Sequence, residues 1–151
     1  MEVVLVNPEI PQNTGSIART CAATCTPLHL VGKLGFDISE KAVRRAGLDY
    51  WPYVKLTYHH SWEDYLQNSK PARLWLLSKH GKRNYYDARF EAGDALVFGS
   101  ETKGLGKTFL SHYPSEQILR IPMSSPYVRS LNLSNAVAIV LYEALRQLEA
   151  V

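Results

Sequence analysis

The residues of this chain best suited to chemistry fall in three polar blocks. Ser130, Asn132, Ser134 and Asn135 crowd the start of an apolar helix, about ten residues after a strand ends at Ile121-Pro122-Met123. A second block, Asn7-Pro8-Glu9-Ile10-Pro11-Gln12-Asn13-Thr14-Gly15, is followed by Arg19. The third is Gly99-Ser100-Glu101-Thr102-Lys103-Gly104-Leu105. The Ser and Asn of the first block are not acids, bases or metal ligands. They suit a ligand held through hydroxyls and main-chain groups, with the reactive group carried by the ligand itself.

Other motifs lead elsewhere. Gly104-Leu105-Gly106-Lys107-Thr108 ends like a phosphate-binding P-loop, but the Gly required five positions before Gly106 is Glu101. A carboxylate there would repel the phosphates such a loop cradles, and nucleotide triphosphatase chemistry is set aside. Cys21 and Cys25 are the only cysteines. Four apart on one face of a predicted helix, with no His at ligand spacing, they read as buried free thiols; no metal site is expected. His59-His60 lies in a polar stretch and reads as surface.

The blocks need elements to hold them, and the pattern is of alternating strands and helices. Strands are expected over Glu2–Val6, Leu28–Val31, Val54–Thr57, Arg73–Leu77, Ala95–Phe98 and Gln117–Ile121. Asn7–Gln12 reads as a rigid loop because of its two prolines. Helices are expected over 14–24, over 40–46 with Ser39 as cap and Gly47 as stop, over 62–67 behind Ser61 with Asp64 in a capping box, over 108–112, and over 132–149. The expected fold is α/β, a mostly parallel sheet with helices on both faces, in one domain spanning residues 1–151. Ligands of such sheets bind beyond the carboxyl ends of the strands, and all three blocks follow strands.

Composition narrows the class. The 151 residues are 46% hydrophobic and 21% charged, as in a globular chain with a substantial core. The net charge of +3 is too small to argue for nucleic acid. Its distribution says more, with clusters at Lys41-Arg44-Arg45 and Lys79-Lys82-Arg83, and Arg19, Lys103, Lys107, Arg120 and Arg129 flanking the polar loops. No apolar run reaches membrane-span length and no basic segment precedes the first strand, so a cytoplasmic protein without signal peptide is expected. Leu133, Ala136, Val137, Val140, Leu141, Ala144, Leu145 and Leu148 make a core stripe on the last helix. Ala138, Ile139 and Tyr142 lie off that stripe, so this helix is apolar all round. That predicts a homodimer.

Together the three blocks resemble the SPOUT superfamily of RNA methyltransferases. The segment Arg45-Ala46-Gly47-Leu48-Asp49-Tyr50-Trp51 makes the chain similar to the small TrmL-like (YibK) group, over about Val3 to Leu148. That group 2'-O-methylates the wobble nucleotide of tRNA, cytidine or uridine, with S-adenosylmethionine. The family usually has Gly where this chain has Cys25, and the Ser124–Arg129 loop is slightly longer than in some relatives.

The resemblance implies a C-terminal deep trefoil knot whose loops hold S-adenosylmethionine. It places Leu77, Gly99, Ile121, Met123, Ser130 and Leu133 at the cofactor, Gly99 because a missing side chain lets backbone approach the ligand. It makes Arg19 the main catalytic residue, with Asn13, Glu101 and Asn132 assisting; Glu101 would orient Arg19 or the substrate. An arginine is charged at any working pH, so Arg19 would act by stabilising a developing alkoxide rather than by taking a proton. Arg44, Arg45, Lys79 and Arg129 would bind substrate, with Lys82 and Arg83 as further phosphate contacts. Tyr50 and Trp51 would stack on an anticodon base or pack in the core. The tRNA anticodon stem-loop would be the partner, with a homodimer formed through the C-terminal and first helices and no membrane. Methylation of another RNA such as rRNA, or a non-catalytic RNA-binding module, is the alternative.

Overall fold

The computed structural model describes residues 1–39 and 49–151; the helix expected over 40–46, with Arg44, Arg45 and the stop at Gly47, lies outside the described residues. Seven strands form one sheet: β1 (Glu2–Val6), β2 (Leu28–Val31), β3 (Leu56–His59), β4 (Arg73–Leu77), β5 (Arg83–Asn84), β6 (Asp94–Phe98) and β7 (Ile118–Arg120). The order is β3-β2-β1-β6-β4-β7-β5 and every pairing is parallel. Among the described residues the helices are α1 (Pro11–Ala23), α2 (Trp62–Ser69), α3 (Lys107–Leu110) and α4 (Leu133–Gln147).

Both faces of the sheet are covered, and strand alternation divides the core. Val3, Leu5, Leu96, Phe98, Trp75 and Leu77 point to one side, against Ile17, Ala18 and Cys21 of α1 and Val137, Val140, Leu141 and Ala144 of α4. Val4, Val6, Ala95, Val97 and Leu76 point to the other, against Tyr65 of α2 and Leu110 of α3. Central strands buried on both faces read as continuous apolar runs, as Glu2–Val6 and Arg73–Leu77 do.

Several boundaries differ from expectation. Pro11 opens α1 instead of excluding it, because the first helical position needs no N–H. The strand expected over Val54–Thr57 slides to Leu56–His59: Trp51–Tyr53 forms a 3-10 turn whose Val54 N–H bonds to the Trp51 carbonyl, and pairing with β2 begins at Leu56. The two-residue β5 emerges inside the loop expected over Lys79–Asn84; nothing in so polar a segment announces a strand. Ser61 caps α2 as expected, its Oγ accepting from the Asp64 N–H at 3.1 Å.

Cys25 is not on α1. It follows the helix with φ +54°, the Cys25 N–H bonding to the Ala22 carbonyl and the Thr26 N–H to the Cys21 carbonyl. This is a Schellman ending, whose left-handed position favours glycine. Cys25 is exposed, whereas Cys21 is buried and burial pushes its thiol up to about 12. Cys25→Gly is expected to stabilise the fold by about 0.5–1 kcal/mol, the relief of the left-handed cost less glycine's extra chain entropy. Thermal unfolding should shift up by about 2 °C.

His59 is buried, contrary to the surface reading; His60 is exposed. His59 Nε2 faces His29 Nδ1 at 2.9 Å, His29 Nε2 faces Glu2 at 3.3 Å, and Glu2 accepts from the hydroxyls of Tyr65 and Ser69. The imidazole bridge survives only if one facing nitrogen lacks a proton, so both rings cannot be charged together. Burial lowers the His59 pKa below 6.5, and the His29 charge lowers it further. Burial raises that of Glu2, but hydrogen bonds from His29, Tyr65 and Ser69 outweigh it and hold the carboxyl at about 2 instead of 4.5. Both groups bind protons less readily folded than unfolded, so both remove stability on acidification. The His59 contribution is lost as pH falls through and below 6.5, and that of Glu2 as pH falls from 4.5 towards 2. The melting temperature is expected to fall between about pH 7 and pH 5, and His59→Gln to flatten that slope. An equally steep slope in the variant contradicts the assignment to His59.

Candidate active site

Beyond the carboxyl ends of the central strands lies a cavity of about 640 Å³. It is bounded by the segments after β4 (Leu77–His80), β6 (Phe98–Lys107) and β7 (Ile121, Met123), by Ile10 and Asn13 after β1, and by Ser130–Leu133 and Ala136 at the start of α4. These segments meet because β1, β6, β4 and β7 are consecutive in the sheet and parallel, which brings their ends to one rim.

A short network of side chains locks the rim. Helix α1 begins with Ile10 at its cap position and has no acid in its first turn, so it supplies no oxygen for its own leading N–H groups. Glu101, from the other end of the chain, instead holds the two N–H groups that lead into the helix. Its Oε1 accepts from the Glu9 N–H at 2.9 Å, and its Oε2 accepts from the Ile10 N–H at 2.7 Å and from Asn13 Nδ2 at 3.2 Å. A carboxylate at a helix N-terminus also interacts favourably with the helix dipole. Asn13 Oδ1 accepts from Asn132 Nδ2 at 3.0 Å. Asn132 is the cap of α4, its Oδ1 accepting from the Ser134 and Asn135 N–H groups. The three polar blocks are thus joined through Glu101, Asn13 and Asn132.

Glu101 reaches α1 because its loop is folded tightly. Ser100 and Gly104 exchange backbone hydrogen bonds, and Gly104 has φ +62°. A Cβ on Gly99 would overlap the Gly104 carbonyl carbon and the Leu105 nitrogen. The close approach expected at Gly99 is therefore made by the chain's own loop, and Gly99 shapes the wall that a ligand meets. The Thr102 hydroxyl donates to Glu9 at 2.7 Å and closes the corner.

All six residues expected at the cofactor line the cavity: Leu77, Gly99, Ile121, Met123, Ser130 and Leu133. So do Asn13, Glu101, Asn132 and Lys79. Arg19 does not. It is exposed on α1, its guanidinium 5.9 Å from the centre of the Tyr50 ring. Glu101 bonds to the residues that lead into α1 and to Asn13, and among the described residues no bond joins it to the Arg19 of its own subunit. Arg83 donates to the Asp87 and Glu116 carbonyls and stacks over Trp75, which leaves its guanidinium committed to the fold. Tyr50 and Trp51 pack against the core, the Tyr50 hydroxyl donating to the Gly15 carbonyl at 2.8 Å, so the stacking alternative gives way to the packing one. Arg129 is exposed and outside the cavity lining. Lys103, Lys107 and His80 line the cavity without having been assigned to it. The sequence signal for Lys107 was its place in a P-loop-like string, which pointed to the wrong chemistry.

The lining fits S-adenosylmethionine. Leu77, Phe98, Ile121, Leu133 and Ala136 offer an apolar surface for an adenine ring, and the volume is that of a small-molecule pocket. Across Met123–Leu131 no backbone-to-backbone hydrogen bond is made among the described residues; the Tyr127 N–H bonds to the Ser125 hydroxyl. Main-chain donors and acceptors are therefore free beside that surface. Among the described residues there is no group of three His, Cys, Asp or Glu able to hold a metal ion, and no helix long and apolar enough to cross a membrane.

Comparison with known proteins extends the description. The SpoU rRNA methylase family model matches residues 1–142. A tRNA (cytidine(34)-2'-O)-methyltransferase of Polaromonas is 49% identical over 147 residues, covering 96% of this chain and 89% of that protein. A solved structure described as giving insights into the 2-OH methylation of C/U34 on tRNA aligns with a TM-score of 0.88 and 48% identity, over 98% of this chain and 90% of that one. An AdoMet-bound rRNA methyltransferase from Sinorhizobium meliloti aligns with a TM-score of 0.79 and 26% identity, over 97% of this chain and 56% of that one.

Proposed function

The chain belongs to the SpoU rRNA methylase family, and we propose that it transfers the methyl group of S-adenosylmethionine to the ribose 2'-oxygen of the wobble nucleotide, position 34, of tRNA. The observation that carries this reading is the cavity at the strand ends, with free main-chain groups beside an apolar wall and the three blocks joined at its rim. When bound, S-adenosylmethionine supplies the electrophilic methyl group on its sulfonium. The protein's tasks are to align the acceptor ribose and to favour loss of its hydroxyl proton.

Leu77, Gly99, Ile121, Met123, Ser130 and Leu133 hold the cofactor, by main-chain groups and apolar contact. Asn13, Glu101 and Asn132 keep the first helix, the Ser100–Gly104 loop and the start of α4 in register. Their hydrogen bonds to one another support a positioning role. Lys79, Lys103 and Lys107 present positive charge at the mouth, where RNA phosphates bind. Arg19 stabilises charge developing on the 2'-oxygen. Because Arg19 stands away from the cavity of its own subunit, it acts on the cavity of a second copy. Ile139 and Tyr142, 37% and 46% exposed on α4, support a homodimer through α4 and the adjacent α1. The trefoil knot goes with the family.

The test is mass spectrometry of unmodified tRNA and of unmodified rRNA, each incubated with the purified protein and S-adenosylmethionine. A 2'-O-methyl group at position 34 is expected. Methylation elsewhere, or of rRNA only, overturns the assignment.

A further inference from the structure

We propose that Tyr127 is a stacking residue for RNA: its ring receives an unpaired base next to the nucleotide being methylated. The inference rests on the function proposed above and adds a specificity-determining residue to it.

The segment carrying Tyr127 is rooted in the cavity at both ends, at Met123 and at Ser130-Leu131. Tyr127 is 92% exposed, more than any other large hydrophobic side chain among the described residues. Among the described residues its ring stacks on no other ring, and its hydroxyl makes no hydrogen bond. Pro126 precedes it, and the Tyr127 N–H bonds to the Ser125 hydroxyl at 3.2 Å, so the tip of the loop is stiffened with the ring held out to solvent. An apolar ring presented in this way is poised to be covered by something flat. The chemistry around it says what. Lys79, Lys103 and Lys107 at the mouth, and exposed Arg129 two residues from Tyr127, favour an anion. The cavity's acid, Glu101, is turned inward and spent on α1. A ligand with negative charges spaced along a backbone and planar faces between them is a single-stranded nucleic acid. Tyr50 and Trp51, the other aromatic candidates, are packed against the core.

The experiment uses the full-length protein and an unmodified anticodon stem-loop RNA carrying pyrrolocytosine beside position 34. Wild type and Tyr127→Phe should quench the fluorescent base on binding, and Tyr127→Ala should not. In Tyr127→Ala the KM for RNA should rise by between about 5- and 150-fold, the loss of one base-aromatic stack, with kcat and the affinity for S-adenosylmethionine within a few fold of wild type. Unchanged quenching and KM in Tyr127→Ala overturn the proposal. So does a changed cofactor affinity, which makes the residue a cover for the cofactor, or a changed oligomeric mass, which makes it a subunit contact. If wild type itself leaves position 34 unmethylated, the function proposed above fails; if only Tyr127→Ala behaves as wild type, the stacking role alone fails.

Discussion

An Arg19→Ala protein is expected to bind S-adenosylmethionine within a few fold of wild type and to lose about 10²- to 10³-fold in turnover, as for removal of one donor that stabilises a developing oxyanion. Cofactor affinity is spared because Arg19 takes no part in lining the cavity. Folding should be spared too, since the guanidinium is exposed and its contact among the described residues is with the face of Tyr50. Arg19→Lys keeps the charge but not the planar fork, and should recover part of the lost rate. Isothermal titration with the cofactor and single-turnover assays with RNA separate the two effects. An active Arg19→Ala protein would contradict the electrostatic role. The subunit question has its own test, which is to mix Arg19→Ala with a variant whose cavity is broken. If Arg19 serves a partner's cavity, random mixing should restore about a quarter of the wild-type rate, because half the dimers then hold one complete site. If it serves its own cavity, mixing restores nothing.

The broken cavity is provided by Gly99→Ala, the second large effect. A Cβ at Gly99 meets the backbone of Gly104 and Leu105, and backbone cannot rotate away as a side chain can. The Ser100–Gly104 loop must lift off the end of β6 and take Glu101 from the start of α1. We expect a loss of about 1–3 kcal/mol in stability and at least a tenfold weaker affinity for S-adenosylmethionine. Gly104→Ala is the control. Nothing lies within 4 Å of a Cβ there, so only its φ of +62° is strained. It should cost about 1–2 kcal/mol and leave cofactor binding near wild type. Equal cofactor affinity in Gly99→Ala and wild type would show that the loop's closure on β6 is not what builds the cavity wall.

Much of this fold was legible in advance because it is written in short-range patterns. Glu2–Val6, Leu28–Val31 and Arg73–Leu77 are apolar runs of strand length, and each is a strand with the predicted bounds. Ser61 caps a helix because its side chain reaches the next turn whatever the rest of the chain does. Errors arose where a distant partner decides. Leu56–His59 is a strand because β2 lies beside it, and His59 is buried because His29 and Glu2 receive it. In sequence, two adjacent histidines in a polar stretch show neither.

The site divides in the same way. The resemblance carried by the three blocks indicated the family and the cofactor, and every residue it placed at the cofactor lines the cavity, because a loop that follows a parallel strand can only lie at one edge of the sheet. What each residue does there depended on the order of strands. Pairing β1 with β6 brings Glu101 to Glu9 and Ile10, where its carboxylate holds the N–H groups that lead into α1. Gly99 lines the cavity and also lies against the backbone of its own Ser100–Gly104 loop, a close approach that the folded loop and not the sequence shows. Arg19, six residues beyond Asn13, lies about 240° further around α1 and so is carried off the cavity, while Asn13 stays on it. Sequence determined which groups are present and which edge they share. Only the tertiary structure decided their partners, because hydrogen-bond partners over 80 residues apart are chosen by strand order and packing, which no local pattern encodes.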